Sequence, residues 1–512
     1  MRFNILNRKE NGGVVNHQGA KAFRLTPQFE LYAAVAAASL SDNFYEKADA
    51  RLSRIRELIA QNEPGFVAKL AVYTREQMYL RSVPMVLAVE LAKSKASEGI
   101  VTKTVSRIVQ RADEITELLS YYSMANQRSG TKVLNKLSKQ VQKGLAMSFN
   151  KFDEYQFAKY NRDGAIKLRD ALFIIHPKPK DEAQQLLFNK IAQDTLSVPY
   201  TWETELSALG QKKFETTEAR KAAFNANWQE LIDSGKLGYM ATLRNLRNIL
   251  EAEVSADHIA KICGYLARTK SVENSKQLPI RFLAAWREIA AMKDNFYAAR
   301  VMAAIEQALV TSVNNVRGFD ANTRVVIACD VSGSMQKPIS AKSKIMNYDI
   351  GLLLGMLLKR KCKSVIAGMF GNTWKVLNLP ANNILMNVQE FYRREGEVGN
   401  ATNGYLVLED LVQRRVVADR IMMFTDCQMW NSNAANQQSA YGMIEAWKKY
   451  KQIAPGAKLY LFDLAGYGKT PLDCLKDDVF LIAGWSDKIF DVLEAIENGG
   501  SAIEKINKIN LN

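Results

Sequence analysis

The chain has 512 residues, 47% hydrophobic and 24% charged, with 11 Pro and 28 Gly, which is the composition of a folded protein too long for a single core. No stretch approaches the roughly 18 uncharged apolar residues of a membrane span, and the Met1-Arg2-Phe3-Asn4 start lacks a secretory pattern. Cys263, Cys329, Cys362, Cys427 and Cys474 show no CxxC spacing and read as buried thiols of a reducing compartment, so disulfide-frame and zinc-finger classes are set aside and a cytoplasmic location is expected.

In chain order, residues 1–25 read as an irregular arm with a turn at Asn11-Gly12-Gly13. From 27 to 312 apolar residues recur at three- and four-residue steps, predicting helices over 29–38, 48–61, 64–79, 83–95, 102–111 and 114–123, and clear strand signals are missing. Short helices in such number predict antiparallel pairs stacked as an α-solenoid, an inference from helix length, because no sequence period stands out. Residues 118–152 contain no acidic side chain. Within them Arg128, Lys132, Lys136, Lys139 and Lys143 fall at steps of four, four, three and four, which on one helix places all five on one face. Val133, Leu134, Leu137, Val141, Leu145 and Met147 supply the opposite, buried side. Aligned cations without counter-charges repel one another, and phosphates would neutralise them. A second basic cluster follows: Lys159-Tyr160-Asn161-Arg162, Lys167, Arg169 and His176-Pro177-Lys178-Pro179. Nearby Tyr155, Phe157 and Tyr160 have two readings, as base-stacking platforms or as core residues at helical spacing.

Residues 312–323 are polar and turn-prone, and beyond them the texture changes. Strands are predicted at 325–329, 364–370, 374–378, 420–425, 458–463 and 479–482, with helices at 345–359, 384–394, 405–414, 439–451 and 488–497. That alternation predicts a mostly parallel sheet covered on both faces, with ligands at the carboxyl ends of its strands. Net charge divides unevenly across this boundary. Residues 1–318 carry 46 Lys+Arg against 33 Asp+Glu (+13), and residues 319–512 carry 23 against 20 (+3), of a total of +16. This suggests a polyanion partner for the first part, the alternative being a merely soluble basic protein.

The first predicted strand of the second part ends in Asp330-Val331-Ser332-Gly333-Ser334. One carboxylate and two hydroxyls from one turn are hard oxygens that suit Mg²⁺, and so few ligands leave coordination positions open. Thr402, in the Gly399-Asn400-Ala401-Thr402-Asn403-Gly404 loop, and Asp426, after the strand Ile421-Met422-Met423-Phe424-Thr425, bring further oxygens to neighbouring strand ends. The alternative for each piece is a turn with helix-capping serines and a polar strand terminator. A serine hydrolase needs a base beside Ser332 or Ser334, yet the chain's histidines are His17, His176 and His258, and neither a G-x-S-x-G elbow nor a Walker loop is present.

Over roughly 319–512 the set Asp330, Ser332, Ser334, Thr402 and Asp426 resembles the metal-ion-dependent adhesion site of von Willebrand factor A domains. The stretch from Lys159 to Pro179, Asn245 in Leu243-Arg244-Asn245-Leu246, and Ser275-Lys276-Gln277-Leu278-Pro279-Ile280-Arg281-Phe282-Leu283 resemble the TROVE module. A TROVE module at 1–318 followed by an A domain at 319–512 is similar to the architecture of the Ro 60 kDa autoantigen family. The resemblance implies an all-α ring of HEAT-like helical repeats plus an α/β doubly wound A domain binding Mg²⁺. It implies a protein that binds Y-like small noncoding RNA on a basic outer surface and takes single-stranded ends of misfolded or structured noncoding RNA in a central hole. Lys159, Arg162, Lys167, Arg169, His176 and Lys178 match the Y-RNA-binding stretch, whereas Phe173 stands where animal members are expected to carry a basic residue. Bacterial members imply an exoribonuclease partner tethered through the RNA, and a protein monomeric within its ribonucleoprotein. The expectation is therefore a non-catalytic RNA-binding protein of RNA quality control, processing or decay, with no membrane partner. Its rivals are a metal-dependent scaffold gripping an acidic partner through the A domain, and an RNA-processing enzyme.

Overall fold

A computed structural model describes residues 14–15, 21–24, 26–36, 38, 48–94, 99–127, 137–161, 164–275, 277, 279–313, 319–339, 343–428, 439–465, 469–472, 478–483 and 502–511. Arg128, Lys132, Lys136, Arg162 and Cys474, and the helix predicted over 488–497, lie outside the described residues. The chain divides into two compact units, each drawn from several segments: residues 56–271, 292–301 and 503–512, and residues 1–55, 272–291 and 302–502. Among the described residues no helix is long and apolar enough to cross a membrane.

The first unit is helical, and its elements match the sequence periodicity closely. Helices run over Pro64–Glu76, Ser82–Lys93, Ile100–Ile108, Asp113–Ala125 and Lys139–Phe149. Alternate helices pack on one another, so Pro64–Glu76, Ile100–Ile108 and Lys139–Phe149 form one row and Ser82–Lys93 with Asp113–Ala125 another, and Ser82–Lys93 also lies against both Pro64–Glu76 and Ile100–Ile108. Two-row stacking of this kind is how short amphipathic helices bury their apolar stripes without a sheet. Gly144 permits the closest crossing, because a Cβ there would lie 2.7 Å from both the Thr102 carbonyl oxygen and the Val105 Cβ. The end of the chain returns to this unit: Lys69 donates to the Asn507 carbonyl at 2.6 Å and Arg107 to that of Asn510 at 2.5 Å.

The second unit is α/β. Short strands β1 (Val14–Val15) and β2 (Lys21–Arg24) pair antiparallel, and β2 pairs with β8 (Lys469–Thr470), so part of the arm expected to be irregular is extended and hydrogen-bonded. The large sheet holds β3 (Arg324–Asp330), β4 (Ser364–Phe370), β5 (Trp374–Val376), β6 (Arg420–Thr425), β7 (Lys458–Asp463) and β9 (Val479–Ala483). Its order is β5-β4-β3-β6-β7-β9, parallel except for the edge strand β5. The six buried residues Val325 to Asp330 make β3 a strand covered on both faces, the reason its sequence is apolar throughout rather than alternating. Chain order reverses between β3 and β6, the crevice where open parallel sheets bind ligands.

Helix Pro279–Ala290 belongs to this unit although it lies in the helical stretch of the sequence. Its Arg287 clamps the fully buried Asp349 with two 2.6 Å hydrogen bonds, while Asp349 also accepts the Met346 N–H at 2.7 Å. The carboxylate thus caps helix Asn347–Lys361, which packs on β3, β4 and β6. The four described cysteines are buried thiols that form no disulfide.

Candidate nucleic-acid interface and metal centre

The basic helix begins later than its periodicity suggests. Ser138 has extended backbone (ψ 126°) and is the residue before helix Lys139–Phe149, so Lys139 and Lys143 share a helix face that does not continue back through Leu137. Both lysines are exposed; Val141 and Leu145 are buried as expected, whereas Met147 is not. The helix lies beside Leu168–Ile175, and Gln142 joins them by donating to the Ile175 carbonyl at 3.1 Å.

The second cluster forms around that neighbouring helix. Lys159 occupies the last turn of helix Glu154–Tyr160. Lys167 precedes helix Leu168–Ile175, where its N–H donates to Asp170 at 3.1 Å, and Arg169 sits in the first turn. His176 ends this helix in a left-handed conformation (φ 50°), and Lys178 follows outside the helix, its carbonyl accepting from Asn150 at 2.8 Å. Lys167, Arg169, His176 and Lys178 are all exposed. Neighbouring helices therefore present Lys139, Lys143, Lys167 and Arg169 to solvent.

The aromatics divide. Phe157 is fully buried against Phe149 and Phe152. Tyr155 is 49% exposed with Lys159 over its ring, and Phe173 is 52% exposed with the Arg169 guanidinium 5.9 Å from its centroid. Arg111 lies 4.3 Å above the Tyr160 ring, a cation–π contact between residues too far apart in sequence for any local pattern to pair. Lys151 has a different role: its ammonium donates to the carbonyls of Ser106 and, at 3.1 Å, Val109, and burial pulls its pKa down.

A further network was not legible in the sequence. The Ser255 hydroxyl is 2.7 Å from His258 Nδ1, and His258 Nε2 is 3.2 Å from Asp233. Ser255 caps helix Ala256–Ala267, and Asp233 is half-exposed and shared with Lys261 at 2.6 Å. A triad carboxylate is buried and committed to its imidazole. This network is a helix cap carrying an ion pair.

At the sheet crevice all five predicted oxygen donors come together, and all are buried. Asp330 Oδ1 accepts the Ser332 N–H at 2.9 Å and Oδ2 accepts the Thr425 hydroxyl at 2.7 Å. The Ser332 and Ser334 hydroxyls are 3.2 Å apart. Asp426 Oδ1 accepts the Gln428 N–H at 3.0 Å, and the Gln428 carbonyl accepts the Thr402 hydroxyl at 3.0 Å. The Thr402 loop is held by contacts that need Gly371: a Cβ there would collide with the carbonyls of Gly399 and Val398. Burial pushes both carboxyl pKa values up, Asp330 further through repulsion by Asp426, while the Ser334 hydroxyl pulls Asp426 back. Asp426 Oδ2 is buried without a hydrogen-bond partner. Two adjacent buried carboxyls, one with an unsatisfied oxygen, and a surrounding set of hydroxyls are what a small hard cation would compensate.

The family model for the TROVE domain matches residues 30–227 and 195–307. The chain belongs to the TROVE-domain family. TROVE proteins bind RNA and form ribonucleoproteins, and the basic clusters lie inside the matched residues. Telomerase protein component 1 of Rattus norvegicus is 26% identical over 321 residues, 49% of this chain and 12% of that protein. Its Mus musculus counterpart is 25% identical over 314 residues, 46% of this chain and 11% of that protein. The chain thus spans a small part of the length of these curated relatives. The crystal structure of Deinococcus radiodurans RO (RSR) protein is similar in fold, with a TM-score of 0.61 at 15% identity over 91% of this chain and 99% of that one. The resemblance to the Ro family and the pairing of a helical TROVE module with an α/β module are borne out.

Proposed function

We propose that this TROVE protein is a non-catalytic RNA-binding protein that binds a Y-like small noncoding RNA on its exposed basic surface. It also takes single-stranded ends of misfolded or structured noncoding RNA, and works in the cytoplasm in RNA quality control, processing or decay. The observation that carries the reading is the exposure of Lys139 and Lys143 on one helix and of Lys167 and Arg169 at the start of the helix packed beside it, within the TROVE match. Cations arranged on a helical surface engage phosphate without reading base sequence, so selection would come from RNA shape and unpaired ends. An exoribonuclease tethered through the Y-like RNA would supply cleavage, with the protein monomeric in the particle. The test is titration of the full chain with a structured RNA, with and without a single-stranded 3′ tail. Tighter binding of the tailed RNA, weakening steeply with salt, is expected. Equal affinity for both would refute the end-binding reading, and shortening of labelled RNA by the pure chain would refute the non-catalytic one.

A second reading concerns the α/β unit, and the unsatisfied Asp426 Oδ2 favours it. This unit is von Willebrand A-like, and Asp330, Ser332, Ser334, Thr402 and Asp426 would hold Mg²⁺. The ion would supply positive charge that keeps both carboxylates ionised, and an open position for an acidic residue of a protein partner. Saturating Mg²⁺ is then expected to raise the Tm of EDTA-treated chain, with stabilisation of about 2.7 kcal/mol at 100 times Kd. Asp330→Asn should show no such response, yet be no less stable than wild type in EDTA, because it removes a repelled buried charge. Equal Mg²⁺ responses in the two proteins would sink the assignment.

A further inference from the structure

Within the helical unit a cleft of about 540 Å³ opens between helices Thr217–Asp233 and Tyr239–Glu251, far in sequence from the basic clusters. Its volume lies in the roughly 300–1,000 Å³ range of small-ligand sites. One wall is a stripe at four-residue steps on the first helix: Arg220, Phe224 and Trp228. Trp228 is 2% exposed and forms an apolar floor, whereas Phe224 is half-buried with the Arg220 guanidinium 5.6 Å from its ring centroid. Lys221 adds a second exposed cation at the rim. The opposite wall carries Asn248, Glu251 and Glu253. Asn248 gives one of its two amide N–H groups to Asn245 Oδ1 at 2.9 Å, and its carbonyl oxygen and second N–H are left to meet a ligand. The second helix thus presents acceptors, and the first presents an aromatic face and cations.

We infer that this cleft binds one unstacked guanine nucleotide of an RNA strand. The base would lie against Phe224, its donor edge (N1–H and the exocyclic amine) would meet the acceptors at Asn248 and Glu251, and its phosphate would meet Arg220 and Lys221. Uracil offers a single donor, N3–H, flanked by two carbonyl oxygens, and is disfavoured beside the carboxylates of Glu251 and Glu253. Sequence-selective RNA recognition commonly uses splayed, stacked bases of this kind. The inference deepens the RNA-binding reading and rests on it.

The probes are guanosine 5′-monophosphate, uridine 5′-monophosphate and the pentamers UUGUU and UUUUU, titrated into the full chain by calorimetry. Guanosine monophosphate is expected to saturate one site and to bind at least about tenfold more tightly than uridine monophosphate, with UUGUU likewise preferred over UUUUU. Phe224→Leu, which keeps an apolar side chain and the fold, should weaken guanosine monophosphate about tenfold. Asn248→Ala should reduce the guanine preference, and Lys139→Glu with Lys143→Glu should leave mononucleotide binding unchanged. No saturable guanosine monophosphate binding, or identical affinity in Phe224→Leu, overturns the inference; if tailed RNA still binds, the proposed function survives that result. Mononucleotide binding without preference for UUGUU assigns the cleft to a free nucleotide and overturns its role in RNA.

Discussion

Reversing the charge at Lys139, Lys143, Lys167 and Arg169 is expected to weaken binding of a structured, tailed RNA by roughly 100-fold or more at near-physiological salt, and to flatten its salt dependence. Each phosphate neutralised contributes about 0.7 to 0.9 to the log–log salt slope, so loss of four contacts should reduce the slope by roughly 3. The four side chains are exposed on adjacent helices, so their replacement removes no core contact. Thermal unfolding should therefore stay close to wild type, as for most surface substitutions. Filter binding at several salt concentrations reads both quantities. An unchanged slope would mean that the RNA reaches the protein elsewhere, whatever the absolute affinity. Lys151 is the internal control. Its ammonium is spent on the carbonyls of Ser106 and Val109, so Lys151→Glu should cost stability rather than RNA affinity alone.

Glu114→Ala is expected to destabilise the helical unit by about 3–5 kcal/mol, the range for removing one partner of a buried ion pair. The Glu114 carboxylate is almost fully buried and accepts from Arg75 at 2.8 and 3.1 Å, from Arg81 at 3.2 Å, and from the N–H groups of Gln110 and Arg111 at 2.8 and 3.1 Å. Its loss would strand the buried Arg75 guanidinium, which otherwise donates to the Ile108 carbonyl at 2.9 Å. It would also release the turn from which Arg111 reaches the Tyr160 ring, so a stability defect at Glu114 should carry an RNA-binding defect with it. Glu114→Gln retains the shape and should cost less, about 1–3 kcal/mol. Urea unfolding followed by far-UV circular dichroism would decide it. A midpoint for Glu114→Ala within error of wild type would show that the network contributes little.

The α/β unit was the more legible half. Its strands are short apolar runs punctuated by turn residues, so β3, β4, β6 and β7 sit within a residue or two of their predicted limits. In a parallel sheet the residue after such a run must stand at the ligand-binding edge, which is why Asp330 and Asp426 could be placed before any fold was known. In the helical unit periodicity also located the helices, but it overran the start of the basic one. Lys132 and Lys136 were read on one face with Lys139 and Lys143; the helix holding the latter pair starts at Lys139, where Ser138 turns to extended backbone. Charge spacing cannot see that break, because polar residues satisfy helical periodicity as well in a loop as on a solvated face.

Taken by itself, the amino-acid sequence determined the two textures, the asymmetry of charge and the placing of Asp330 and Asp426 at strand ends, since these follow from composition along the chain or from the alternation of elements. Tertiary structure decided how the rest is used. Phe157 goes into the core and Tyr155 to the surface though they are two residues apart on one helix, because Phe149 and Phe152 cover only one of its sides. Arg287, from the helical stretch of the sequence, becomes an anchor of the α/β unit through the buried Asp349, and Arg111 finds Tyr160. These pairings depend on which helices become neighbours. Periodicity specifies which face of a helix is buried, but long-range packing alone specifies what lies opposite it.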